Sequence, residues 1–100
     1  SQNESGTGNI KKIELVNYPN PFNPVTTIKY TILSRGEVNL SIFNILGERL
    51  KEIVNETEDE GIYKVNVDMS KFSSGVYIYR IITPDYSLSK KMILIKWFIS

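Results

Sequence analysis

Apolar and polar residues alternate over most of this chain, which is the period of a half-buried strand. Ile28, Tyr30 and Ile32 fall on one face of residues 27–33, and Val38, Leu40 and Ile42 on one face of residues 38–44. Tyr63, Val65 and Val67 share a face opposite Lys64 and Asn66. The densest pattern lies late in the sequence. A β-branched and aromatic run covers residues 75–83, and a second apolar run covers residues 88–96. Such side chains fit a pleated surface. Pro84-Asp85-Tyr86-Ser87 between the runs has turn chemistry. Two strands joined by so short a loop pair antiparallel, as a hairpin. A hairpin alone is marginal in water, so the rest of the chain must supply a surface for it.

The other elements are shorter or weaker. Ile13, Leu15 and Tyr18 mark a short first strand. Tyr18-Pro19-Asn20-Pro21-Phe22-Asn23-Pro24 cannot be a helix or a central strand, because Pro19, Pro21 and Pro24 remove backbone donors and fix φ. Each residue before a proline is also pushed to extended geometry. This segment reads as a rigid loop carrying Phe22, either as a plug for one end of the core or as a ring that stacks on a ligand. Leu46-Gly47-Glu48 breaks the strand before it. Residues 49–54 form a weaker edge strand, interrupted by Lys51 and Glu52. Residues 55–61 read as an acidic loop. Residues 68–74 read as a loop or single helical turn, with Phe72 anchoring it and Asp68 capping it through its side chain. The total is about seven short strands with turn signals between them, the pattern of an all-β antiparallel sandwich of two sheets.

Length and composition narrow the function. One hundred residues make one domain with one small core. Residues 1–9 are small and polar, like a disordered linker or a cloning remnant, so the domain is expected over 10–96, followed by an apolar extension, 97–100. The net charge of +1 is spread along the chain, which argues against nucleic acid as a partner. No apolar run reaches the roughly 20 residues of a transmembrane segment. With neither His nor Cys, a Ser-His-Asp triad, a Cys-His pair and a His-ligated zinc are closed to it. No phosphate-binding Gly-rich loop is present.

Carboxylates and tyrosines are the remaining candidates for chemistry. Glu56, Glu58, Asp59 and Glu60 could act as acid and base or as calcium ligands. They lack the spacing of an EF-hand, and adjacent like charges suit a solvated turn. Tyr63, Tyr77 and Tyr79, with Trp97, could stack on sugars, but the tyrosines sit at strand parities that suit the core. Asn3, Asn39 and Asn55 begin glycosylation triplets that matter only in a eukaryotic secretory setting. Lys90-Lys91 is too small for a nucleic-acid patch and discourages edge-to-edge pairing. Catalytic residues, metal ligands and cofactors are therefore expected to be none.

Four segments in order resemble a known family. They are Tyr18-Pro19-Asn20-Pro21-Phe22-Asn23-Pro24 with Thr26-Thr27-Ile28, then residues 38–47 ending in Gly47, then Gly75-Val76-Tyr77-Ile78-Tyr79-Arg80-Ile81, then Lys90-Lys91-Met92-Ile93-Leu94-Ile95-Lys96. Together they resemble the C-terminal sorting domain of the type IX (Por) secretion system. The resemblance implies an immunoglobulin-like sandwich at the end of a larger protein of a Bacteroidetes-type bacterium. It implies N-terminal cargo domains, an outer-membrane translocon and a sortase-like peptidase as partners. The parent would be secreted or held at the cell surface, reached through the periplasm and outer membrane. The recognition residues it implies are Gly75, Val76, Tyr77, Lys90, Lys91, Met92, Ile93, Leu94, Ile95 and Lys96. As an edge, the last strand would offer backbone groups for strand addition by a receptor. The immunoglobulin-like domain of flagellar hook-capping proteins shares the pattern, which leaves an assembly role open. A third reading, from another class, is an accessory carbohydrate-binding module of a secreted hydrolase, with the tyrosines engaging polysaccharide.

Overall fold

Alternation along the chain becomes a strand wherever the opposite sheet can cover its apolar side. The computed structural model describes residues 12–96. Its strands are β1 (Leu15–Tyr18), β2 (Val25–Ile32), β3 (Gly36–Phe43), β4 (Arg49–Glu58), β5 (Gly61–Asp68), β6 (Gly75–Ile82) and β7 (Ser87–Leu94). They form a three-stranded sheet, β1-β2-β5, and a four-stranded sheet, β4-β3-β6-β7. All the strand pairs within the sheets are antiparallel. The fold is the expected seven-stranded β-sandwich.

The inward positions fill the space between the sheets. Ile28, Tyr30 and Ile32 of β2 meet Val38, Leu40 and Ile42 of β3, Tyr77, Tyr79 and Ile81 of β6, and Met92 and Leu94 of β7. Leu15, Phe22, Val67 and Met69 complete the buried set. Burying a side chain of this size stabilises the fold by about 1.5–3 kcal/mol. Phe22 is the expected plug, 2% exposed. Phe72 is half-buried against the core, edge-on to Tyr77.

Tyrosine hydroxyls tie the connections between sheets. Tyr63 donates to the carbonyl of Asp59 at 2.7 Å, and Tyr77 to that of Ser73 at 2.6 Å. Each reaches four residues back across a crossing, into β5 and into β6. Tyr86 donates to the carbonyl of Thr31, joining the β6–β7 turn to the opposite sheet. The Tyr79 hydroxyl bonds the backbone of Asn17. A buried tyrosine needs such a partner. Packing and tethering thus account for the tyrosines that composition offered as a sugar platform.

Some boundaries differ from the expectation. β4 runs on through Asn55, Glu56 and Thr57, so the acidic stretch is strand, and its turn is confined to Asp59 and Glu60. An edge strand leaves charged side chains in water, while pairing with β3 sustains its backbone. Of the first-strand residues only Leu15 is buried; Ile13 and Tyr18 are exposed. Tyr18 has the opposite parity to Leu15, and Ile13 precedes the paired region. β7 ends at Leu94, two residues short of Lys96. The expected turn cap is present: the Ser70 amide donates to Asp68 Oδ1 at 2.9 Å. That bond, first among its causes, holds the Asp68 carboxyl below the usual range. The expectations for 1–9 and for 97–100 fall outside the described residues.

Candidate recognition face

After β1 the chain crosses from one sheet to the other. Residues 19–22 run beside β7, and Phe22 makes a parallel bridge to Leu94. The Phe22 amide donates to the carbonyl of Ile93, and its carbonyl accepts from the amide of Ile95, both at 2.9 Å. The next rung is made by a side chain. Asn20 Oδ1 accepts from the Ile93 amide at 2.9 Å, and Asn20 Nδ2 reaches the Lys91 carbonyl at 3.5 Å. A carboxamide carries the donor and acceptor of a peptide group, so Asn20 extends the ladder without its backbone. Thr26 holds this strap from below, donating through its hydroxyl to the Pro19 carbonyl at 2.9 Å. Pro19, Pro21 and Pro24 have no amide hydrogen that could be left unpaired.

The strap closes only part of the edge. Ile93 spends its amide and carbonyl on the strap, so by alternation the same groups of Ser87 and Ser89, and the Lys91 amide, point outward. They meet no partner among the described residues. Every residue from Ser87 to Lys91 is exposed. The edge that would accept an added strand is therefore the N-terminal half of β7; the strap already occupies its C-terminal half.

The outer face of the same hairpin carries an apolar row with cations beside it. Val76 lies opposite Ile93, and both are exposed. Ile95 is exposed beyond them. Ile78 sits between Phe43 of β3 and Lys91 of β7 in register. The Arg80 guanidinium lies 4.4 Å from the centre of the Phe43 ring, a cation–π contact. A shallow hollow of about 360 Å³ lies where the strap meets Ile95, lined also by Pro19, Pro21, Phe22 and Asn23.

The residues expected to contact a receptor divide by strand parity. Val76, Lys91, Ile93 and Ile95 face outward together. Tyr77, Met92 and Leu94 are core residues, so they shape the hairpin from behind. Lys90 has the inward parity but lies beyond the covered region and is exposed. Gly75 opens β6 opposite Leu94. Lys96 binds within the domain. Its Nζ donates to the carbonyls of Ser70 at 2.7 Å and Phe72 at 3.0 Å, and its amide to Ser74 Oγ at 2.9 Å. That pins the end of the hairpin to the β5–β6 crossing.

Sequence reasoning missed Arg80, Ile78, Phe43 and Asn20. Arg80 left a signal, as the one charged residue of β6, since a charge inside an apolar strand marks the outward parity. Asn20 left none, because its mimicry of a peptide needs β7 beside it.

Among the described residues no three carboxylates, histidines or cysteines gather to hold a metal. None of these residues forms a helix long and apolar enough to cross a membrane. The sandwich thus carries a half-open edge on β7 and, beside it, an outer face of apolar side chains flanked by cations. Residues 16–96 match the family model described as the secretion system C-terminal sorting domain, and the chain belongs to that family. The domain is thus a sorting signal for type IX secretion, which directs export and is not itself a catalyst. No curated protein matches the chain.

Proposed function

We propose that the β6–β7 hairpin is the element read by the outer-membrane translocon when this domain directs its parent out of the periplasm. The observation that carries the proposal is the half-open edge of β7. Ser87 and Ser89 offer paired donors and acceptors there, and Lys90 and Lys91 project to opposite faces of the same short stretch. A receptor strand added at that edge gains main-chain hydrogen bonds and reads side chains on alternate positions. The lysines supply long-range attraction, and Val76, Ile93 and Ile95 supply apolar contact. The N-terminal cargo domains precede β1, at the end of the sandwich away from the strap. After passage a sortase-like peptidase removes the domain or exchanges it for a surface anchor, leaving the parent secreted or on the cell surface.

The test is an export assay. The chain is fused to a periplasm-targeted fluorescent reporter in a bacterium with a working type IX system. Reporter on the surface or in the medium is the expected result. Lys90→Ala with Lys91→Ala should trap it in the periplasm while the thermal melt of the domain stays unchanged. Normal export of the double variant would remove the lysines from the recognition element.

A further inference from the structure

We infer that the β3–β4 turn is a second contact point, an apolar peg that seats in an apolar pocket of the export machinery. The inference rests on the sorting role proposed above. Ile45 is 70% exposed and Leu46 80%, the two highest values for large apolar side chains among the described residues. A turn does not need them, since polar residues serve there equally well.

The turn is firmly built. Asn44 Oδ1 accepts from the amides of Leu46 at 2.9 Å and Glu48 at 3.0 Å. Asn44 Nδ2 donates to the Glu48 carboxylate at 2.7 Å. The backbone adds bonds from Asn44 to Glu48 and from Gly47 to Asn44, both at 3.0 Å. Gly47 has φ of 88°, a left-handed conformation that a side chain would strain. One asparagine and one glycine thus hold two neighbouring aliphatic side chains in water on a fixed backbone. Groups held in position before binding lose little freedom when they dock.

Chemistry and position indicate the occupant. The charges next to the peg are engaged within the domain: Glu48 with Asn44, Arg49 with Glu52 at 3.0 Å, and Lys51 with the Asp68 carbonyl at 3.2 Å. A lipid surface would call for cations free to meet headgroups. Two aliphatic side chains beside charges already bonded within the domain suit a pocket in a protein. The peg also continues the recognition face, because Phe43 immediately before it pairs with Ile78, and Ile78 pairs with Lys91. A receptor gripping the β7 edge could reach across that face to the peg.

The experiment uses the full chain fused to the same reporter. Ile45→Ser with Leu46→Ser is compared with wild type and with the apolar pair Ile45→Val and Leu46→Met. The serine variant should lower export about tenfold, the loss expected when a contact hot spot is truncated. The apolar pair should restore it, and all three purified domains should melt at the same temperature. Export of the serine variant at the wild-type level would overturn the inference while leaving the sorting role intact. Failure of wild type to export would overturn both. Two controls exclude other occupants. Flotation of the wild-type domain with anionic vesicles, lost in the serine variant, would assign the peg to lipid. A wild-type dimer by light scattering, monomeric in the serine variant, would assign it to a second copy. Either result would overturn the protein-pocket assignment.

Discussion

The two ends of this sandwich are built differently. At one end lie the β2–β3, β4–β5 and β6–β7 turns. Arg35 pairs with Asp59 across the first two. Ser34 donates to the Asp85 carboxylate at 2.7 Å, and Tyr86 to the Thr31 carbonyl. Thr83 Oγ1 accepts from the amides of Asp85 at 3.1 Å and Tyr86 at 3.0 Å. Beneath them the Tyr30 hydroxyl donates to the Glu58 carboxylate at 2.9 and 3.2 Å, and Tyr63 stacks on Tyr30 with centroids 5.4 Å apart. At the other end lie the strap, its hollow, the Ile45-Leu46 turn, and exposed Val25 and Ile95. Both ends are tied by polar groups, and the first also exposes Ile62, Ile82 and Leu88; the second differs in holding Ile45 and Leu46, the two most exposed large apolar side chains among the described residues, side by side on one turn. The contrast sets an end where the turns of opposite sheets bind one another, beside which the open half of β7 begins, against an end where a single turn holds two aliphatic side chains in water.

Three substitutions sharpen that contrast. Phe22→Ala should have the largest effect. It removes the buried anchor of the strap, and loss of a core phenylalanine costs about 3–5 kcal/mol in chemical denaturation. A cost under about 1 kcal/mol would mean that the strap is held by its hydrogen bonds and not by its ring. Tyr30→Phe comes next. It leaves the Glu58 carboxylate, 8% exposed, without its donor, and an orphaned buried acceptor costs about 1–3 kcal/mol. Should it cost more than Phe22→Ala, the end with the paired turns would be the main source of stability.

Glu58→Gln should have the smallest effect and the most informative pH profile. Burial, the largest cause, raises the Glu58 carboxyl above the ordinary range; nearby Glu56 adds to this and the Tyr30 bond opposes it. The folded state therefore binds this proton more tightly than the unfolded chain. Its contribution to stability is complete below the unfolded-state value and is lost as pH rises through the folded one. The glutamine keeps an acceptor for Tyr30 and does not titrate. Its melting temperature should gain on wild type between pH 4 and pH 7. A gain by wild type over that interval would reverse the sign assigned to burial.

The sequence reveals the sheets better than the face they present. β2, β3 and β5 are legible because one side of each is apolar and the other polar. The β6–β7 hairpin is legible because Pro84 and Asp85 sit between two dense runs. The end of β4 is not legible, because Glu56 and Glu58 look like loop residues, although an edge strand tolerates them and Glu58 turns inward to Tyr30. Fewer residues of the proposed recognition face are legible. A contiguous motif such as Lys90 to Lys96 alternates between core and surface, so Met92 and Leu94 lie behind the face that Lys91 and Ile93 present. Arg80 and Phe43, which lie on that face, come from other strands. Their meeting is set by register, which local pattern does not carry.

The Asn20 contact also bears on when the domain becomes complete. Its partners in β7 lie 71 and 73 residues further along the chain, and β7 is the last described strand. While a polypeptide is being made, the strap waits for a docking site that arrives only with this final strand. Contacts of such long span form late and slowly. A parent broken off before β7 lacks the hairpin, leaves its strap without a partner and exposes Phe22 to water. The sandwich therefore acts as a seal on a finished message: it closes only on a chain synthesised through its last strand.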